Sequence, residues 1–510
     1  MRINRSLNTK KNSFWGMITR IVTLLCPFIT RTVLIKKLGA EYLGLNSLFT
    51  SILTVLSMSE LGVGSAIVYS MYKPIAEDNT DLINALLNLY KKIYKVIGAV
   101  ILIAGILIIP FLSNFISGDV PDDINVTTLY ILYLFNTVIS YFLFSYRICL
   151  LNAFQRNDLV SKITVTLSLI MYISQICLLY LTRNYYAYII TLPIYTIFYN
   201  IGLLLVSKKY FPQFSPCGIV SKDVASEIKT NISGLMIVRI AEVSRNSLDS
   251  IIISSLLGLT TVAIYNNYYY VINAVSSLLL VLTNAMSAGI GNSIAADSKE
   301  KNYSDMKRIN FLYLWLSGVA ASCIASLYQP FMKIWVGMDL MFPNDVMWLF
   351  VIYFILLKLV NIQGQYLDAT GLWWHRKWYA LLEVIVNLTL NIGLGVIIGV
   401  KGIIIATLIT SYFINFLSTA KIVFKYYYNI SGKRYIAFQT IFAIIMLTTC
   451  YICYYLCLPI PTEKSFIQSI LLLLLRAVIS IIATCFIYWI IFHRTLLYKE
   501  SKAWLLQRIK

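Results

Sequence analysis

The sequence predicts an all-α integral membrane protein of about fourteen transmembrane helices. Three observations predict it. Hydrophobic residues fill 59% of 510 positions and charged ones only 13%, with a mean hydropathy of +0.76. A soluble chain of this length divides into several domains with about a quarter of its residues charged, and a disordered basic chain is poor in apolar residues. Second, the apolar residues gather in runs long enough to cross a bilayer, about 20 residues each. Third, the net charge of +20 is distributed unevenly between those runs.

The runs fall at 14–35, 43–70, 88–113, 125–147, 159–181, 185–207, 230–257, 260–294, 309–336, 343–367, 375–400, 402–424, 435–458 and 466–492. The first follows Arg2, Arg5, Lys10 and Lys11, a basic start like that of a signal peptide. Arg20 interrupts it and no small-residue cleavage site follows, so it reads as a retained helix. Several later runs exceed the spanning length and are expected to tilt or to project past the lipid. No connection is long enough for a soluble domain. The longest, 208–229, contains Pro212, Pro216 and Gly218 and reads as a linker. The expected division is an N-terminal lobe over 1–207, a cytoplasmic linker over 208–229, a C-terminal lobe over 230–428, and two further helices with a cytoplasmic tail over 429–510.

With the N-terminus placed in the cytoplasm, 30 of the 42 Lys and Arg fall on the cytoplasmic side, six fall opposite, and six remain within spans. That bias is what the positive-inside rule requires, and it puts both termini inside. Basic loops spread along one membrane face are orientation signals, so nucleic acid is not expected as a partner. Eight of the nine cysteines lie in apolar runs. Cys450, Cys453 and Cys457 share a helix face among Tyr and Ile, with only two histidines in the chain, and read as packing residues rather than metal ligands.

An internal repeat organises the spans. A shift of 219 residues lays the first run on the seventh: Asn12 on Asn231, Met17-Ile18 on Met236-Ile237, Arg20 on Arg239, and Leu38-Gly39 on Leu257-Gly258. More loosely, Gly62-Val63-Gly64 corresponds to Gly289-Ile290-Gly291. The six-helix order recurs in parallel, so two pseudo-symmetric six-helix lobes are expected, with two C-terminal helices outside the repeat. Transporters built on repeats place substrate between them.

Ionisable residues inside spans are costly and mark functional sites. The first run carries Arg20 and Arg31 on one face, with Pro27 beside them. The seventh carries Arg239, Glu242, Arg245, Asn246 and Asp249 on one arc, at spacings that allow a charge ladder. That arc reads either as a self-neutralising ladder or as the polar wall of a cavity. Lys358 shares a face with Asn361 and Gln365, and Glu383 with Asn387 and Asn391. Glu60 precedes Gly62 and Gly64, where a helix can break. Arg476, outside the repeat, reads as structural. The arginines of the first run have no acid on their own helix, and the planar guanidinium fork suits a phosphate or diphosphate. Arg20, Arg239, Arg31, Arg245 and Lys358 are therefore the candidate anion-binding residues. Glu60, Glu242, Asn246, Asp249 and Glu383 are the polar or ion-coupling candidates, for H⁺ or Na⁺. Tyr268-Tyr269-Tyr270, Tyr426-Tyr427-Tyr428 and Trp373-Trp374 suit either sugar stacking or an interfacial belt. There is no phosphate-binding loop and no hydrolase motif, so the chain reads as a transporter, not an enzyme, with no cofactor.

The basic N-terminus, Arg20, the string KKLGAEYLGLNSLFTSILTVLSMSELGVGSAIVYSMYKPIAE (36–77) and the six-plus-six-plus-two order together resemble a known family. It is the polysaccharide/O-antigen repeat-unit flippases, in the polysaccharide transporter branch of the multidrug/oligosaccharidyl-lipid/polysaccharide exporter superfamily. The resemblance implies V-shaped lobes, a cationic cavity, and a bacterial cytoplasmic membrane location. The implied substrate is an oligosaccharide on undecaprenyl diphosphate, with a polysaccharide polymerase and other assembly proteins as further partners. Arg20 and Arg239 match the family's basic residues in cavity-lining helices. A lipid II flippase would use the same cationic cavity. A multidrug/cation antiporter of the same fold would need a net acidic one. A membrane glycosyltransferase would need a large extramembrane catalytic loop.

Overall fold

The computed structural model describes residues 5–60, 62–118, 120–461 and 465–509, and among them all regular structure is helical. The chain forms two compact units, Met1–Ala263 and Ile264–Lys510. The seventh apolar run therefore belongs by its contacts to the first unit.

In the first unit, α1 (Arg5–Lys37) contains Pro27 and lies along α7 (Asn157–Thr182). Leu38 and Gly39, the latter at φ 126°, turn the chain into α2 (Ala40–Leu56). That dihedral is open to glycine and strained for other residues. After a 3₁₀ turn over Ser57–Glu60, Gly62 at φ 92° starts α3 (Val63–Ala76). The second apolar run is thus broken where the Glu60–Gly64 sequence suggested.

Asn79 caps α4 (Thr80–Ile108) by accepting the Leu82 N–H at 3.0 Å, and Asn125 caps α5 (Val126–Phe142) by accepting that of Thr128 at 2.9 Å. The fourth span bends by 49° between α5 and the segment Ser145–Ala153 that includes α6 (Ile148–Ala153). The bend has a side-chain cause. Asn200 Oδ1 accepts both the Phe144 N–H (3.1 Å) and the Ser145 hydroxyl (2.8 Å), replacing the interrupted ladder. Asn200 sits on α9 (Thr191–Tyr210), which follows the short α8 (Tyr185–Ile189).

Helix α10 (Lys222–Leu257) packs on α2, on α3 and on the 3₁₀ turn ending at Glu60. Gly258, at φ 89°, joins it to α11 (Leu259–Ala296), as Gly39 joins α1 to α2. The strict part of the repeat therefore recurs in backbone geometry. The loose part does not: Gly289 and Gly291 lie inside the unbroken α11, with no counterpart of the Gly62 break. Close approach explains another glycine. A Cβ on Gly44 of α2 would stand 2.2 Å from the Leu259 carbonyl oxygen.

The second unit is built on α12 (Lys299–Val336), which packs against α13 (Asn344–Ala369), α17 (Lys433–Cys457), α18 (Phe466–Phe492) and α19 (Leu496–Ile509). Beside them, α14 (Trp373–Ile398) returns through Gly399 into α15 (Val400–Ile409) and α16 (Leu417–Ile422). Two π-helical stretches, Thr410–Phe416 and Val423–Tyr428, widen that last span. Cys450, Cys453 and Cys457 are fully buried, the latter two within 4 Å of Thr484 and Ser480 of α18. Arg476 is buried too and donates to the Ser326 carbonyl at 3.5 Å and to that of Ile460.

Among the described residues each of the fourteen expected segments coincides with helix, the second and fourth in two pieces. Among the described residues, eleven are long and apolar enough to cross a membrane, or twelve if the bent pair is one span. The two that fall short are the broken second segment and the charge-rich seventh, each for a physical reason.

Candidate functional site

Among the described residues, the first unit gathers charge where α10 meets the break in the second span. Glu60, half-buried at the end of the 3₁₀ turn, accepts two phenolic hydroxyls. Tyr141 donates to Oε2 at 2.5 Å and Tyr94 donates to Oε1. Tyr90 in turn donates to the Tyr94 oxygen at 2.8 Å, so a line of hydroxyls from α4 and α5 ends on the carboxylate. Among the described residues no Lys or Arg nitrogen comes within 4.0 Å of it. A carboxylate here must be hydrogen-bonded or neutralised, and the tyrosines supply the former.

The facing part of α10 carries Arg245 and Asp249, 8% and 1% exposed, both engaged in contacts. Ser244, next to Arg245, reaches Met58 Sδ at 3.5 Å. The side chains of Arg239, Glu242 and Asn246, on the same helix, lie outside the described residues.

Helix α1 positions its two arginines differently. Arg20 is exposed, and among the described residues no carboxylate lies within 4.0 Å of its guanidinium. Arg31 is half-buried near the Tyr188 phenol and engaged in contacts.

The second unit holds a different arrangement. Arg376 and Glu383, two turns apart on α14, are both buried and ion-paired, Nη2 to Oε2 at 3.7 Å. Asn415, in the first π-helical stretch, bridges them. Its Oδ1 accepts from Arg376 Nη2 at 2.7 Å and its Nδ2 donates to Glu383 Oε1 at 3.2 Å. One helical repeat further, Asn387 donates to the Thr407 and Thr410 hydroxyls, each at 3.2 Å, and accepts from Asn391 at 3.2 Å. This face of α14 is a polar seam against α15. Lys358 stands apart from it. It is 3% exposed, with Nζ 4.7 Å from the Phe354 ring centre and, among the described residues, no carboxylate within 4.0 Å. A cation–π contact offsets only part of the desolvation of an ammonium.

Two buried arginines escape a hydropathy-based reading. Arg376 and Arg147 stand near run ends and count as loop charges in sequence, yet they are 5% and 4% exposed. Arg147 sits at the 49° bend and donates to Ser207 Oγ at 2.8 Å. The spacing of seven between Arg376 and Glu383 is the signal that places them on one face. Nothing comparable marks Arg147, nor Tyr94, Tyr141 and Asn415, whose importance depends on neighbours distant in sequence.

Comparison with known proteins adds the following. The family model described as "Polysaccharide biosynthesis protein" matches residues 9–287. No curated protein matches by sequence. Among solved structures, the chain is similar to the lipid II flippase MurJ in an inward closed conformation, with a TM-score of 0.61 and 16% identity over 94% of this chain and 98% of that one. It is also similar to an inward-facing multidrug resistance MATE family transporter of the MOP superfamily, with a TM-score of 0.58 and 13% identity over 82% of this chain and 95% of that one. A third is a MOP superfamily transporter from Pyrococcus furiosus, described as having a binding pocket of reversed polarity, with a TM-score of 0.54 and 12% identity over 85% and 96%. At these identities the likeness is one of fold.

Proposed function

This chain belongs to the polysaccharide biosynthesis protein family, and on that premise we propose that it is a flippase. It translocates an undecaprenyl-diphosphate-linked oligosaccharide repeat unit, of O-antigen, capsule or another surface polysaccharide, across the cytoplasmic membrane by alternating access. The observation that carries this reading is the pair of membrane cations without acidic partners among the described residues, Arg20 and Lys358. Cations held in a membrane at that cost call for an anion from outside the protein, and a diphosphate meets the guanidinium fork with paired bonds. The paired cation Arg376 is spent on Glu383 and is not assigned to substrate. Arg239, Arg31 and Arg245 join the anion set through the repeat and their places on α1 and α10.

The ion-coupling role goes to Glu60, because Glu383 is already neutralised by Arg376 while Glu60 meets only hydroxyls among the described residues. Flux of H⁺ or Na⁺ through its carboxylate would drive the cycle. Glu242, Asn246 and Asp249 supply the polar surface of α10. The polymerase and assembly proteins of the same glycan are its proposed partners, and both termini are proposed to be cytoplasmic.

The test is surface glycan display in a host lacking its own flippase. Arg20→Ala is expected to abolish display at normal membrane expression, while a host given the unaltered chain displays glycan. Normal display by the variant overturns the anion role of Arg20. A lipid II substrate would bring the same diphosphate, and rescue of a conditional lipid II flippase mutant, with no rescue of glycan display, would favour that reading instead.

A further inference from the structure

In the second unit, the chain leaves the second π-helical stretch at Asn429, held at φ 57°, and re-enters helix at Lys433, after Gly432. A cavity of about 690 Å³ opens at this elbow. Its charged lining is basic, with Asn429 and Ser431 as the neutral polar residues: Lys421 and Lys425, one turn apart, and Lys433 at the start of α17, all exposed. Its apolar lining is Leu417, Ile430 and Ile436. Among the described residues the lining of the cavity holds no Asp or Glu, and none occurs in the sequence between Glu383 and Glu463. The N-terminus of the 25-residue α17 adds its positive dipole end, with no acidic residue in its first turn and only the Ser431 hydroxyl accepting its first N–H, at 3.4 Å.

Beyond the cavity, exposed apolar side chains continue along the same two helices. Ile409 and Phe413 are exposed on one wall, at four-residue steps from Leu417, and Ile444 on the other. The two walls are pinned together by the Tyr412 and Thr440 hydroxyls at 2.7 Å. The feature is thus a cationic mouth leading onto an apolar groove between two adjacent spans.

We propose that this elbow is a binding seat for an anionic phospholipid of the surrounding bilayer, distinct from the transported substrate. The lysines take the phosphate, and one acyl chain lies along Leu417, Phe413 and Ile409. Free phosphate would use the lysines and leave the groove bare, so the amphipathic lining selects lipid. The distribution of basic loops puts this mouth at the cytoplasmic leaflet. Basic pockets between spans on that side suit anionic headgroups.

The experiment is native mass spectrometry of the full-length protein, purified in detergent and titrated with phosphatidylglycerol, phosphatidylcholine or inorganic phosphate. The expected result is a saturable phosphatidylglycerol adduct that exceeds the phosphatidylcholine one. Each of Lys421→Gln, Lys425→Gln and Lys433→Gln should weaken it about fivefold, and the triple variant about a hundredfold. These lysines are exposed, so the variants are expected to fold, and each single variant is checked by its elution profile. Leu417→Asn gives a second readout: it should weaken the lipid adduct and leave any phosphate adduct unchanged. Undiminished phosphatidylglycerol binding in the triple variant overturns the proposal. So does a phosphate adduct with no phosphatidylglycerol preference. Glycan display by Arg20→Ala bears only on the transport reading, so the two can fail separately.

Discussion

The Tyr141 hydroxyl donates to Glu60 Oε2 at 2.5 Å, joining α5 to the turn that breaks the second span. Tyr94 of α4 donates to the other carboxylate oxygen. Three elements therefore meet on one acidic side chain. A hydrogen bond to a charged acceptor contributes about 1.5–3 kcal/mol. Tyr141→Phe and Tyr94→Phe are each expected to lower the unfolding temperature in detergent, and the double variant to lower it by less than the sum. Unchanged unfolding in both single variants would contradict the network.

If Glu60 carries the coupling ion, Glu60→Gln should leave the protein inserted and fluxless under a gradient. Flipping of a fluorescent polyprenyl-diphosphate glycan in proteoliposomes, with pH and sodium gradients imposed separately, reads this directly. Gradient-driven flipping at the unaltered rate in Glu60→Gln removes Glu60 from the coupling step.

Lys358 offers a trade between stability and function. A buried ammonium without a carboxylate partner costs folding free energy, and Met fills the same volume without charge. Lys358→Met is expected to raise the unfolding temperature and to reduce glycan display. A variant that is stabilised and fully active would show that Lys358 has no part in substrate handling.

The Arg376–Glu383 pair behaves oppositely. Removing one partner leaves a buried charge, at about 3–5 kcal/mol, whereas replacing both with apolar residues is often neutral. Arg376→Met alone should destabilise strongly, and Arg376→Met with Glu383→Met should recover most of the loss. Additive losses in a double-mutant cycle of denaturation midpoints would mean the two do not interact.

Helix packing gives a fifth test. Gly44→Ala would place its Cβ 2.2 Å from a backbone oxygen, whereas a Cβ on Gly16 meets nothing within 4 Å. Gly44→Ala is expected to cost about 1–3 kcal/mol through overpacking. Gly16→Ala should be neutral or stabilising by up to about 1 kcal/mol through helix propensity. Equal unfolding temperatures for the two would refute the close approach of α2 to Leu259.

Hydropathy alone located the helices, because the bilayer demands long apolar runs and the chain has little else. The break after Glu60 is legible from the glycines that follow it, of which Gly62 takes the left-handed φ at the start of α3. The strict repeat was legible down to the joint, since Gly39 and Gly258 both adopt positive φ. Pairing was not legible. Arg376 sits close enough to a run end to count as a loop charge, and only the folded α14 shows it turned inward onto Glu383 and Asn415. Glu60 was visible as an acid in a membrane, but its tyrosines come from positions 34 and 81 residues away. No local pattern encodes such contacts.

The glycine joints have a mechanical consequence. Between α1, of 33 residues, and α2, of 17, there are only Leu38 and a positive-φ Gly39. So short a hinge has almost no slack, and a helix of that length is about 50 Å long. A rotation of about 5° at the joint would sweep the far end of such a helix through about 4 Å. Gly258 stands at the corresponding place in the chain, between α10 and α11. The α1–α2 pair is a lever with its fulcrum at one glycine, and the arginines of α1 are spaced along the arm.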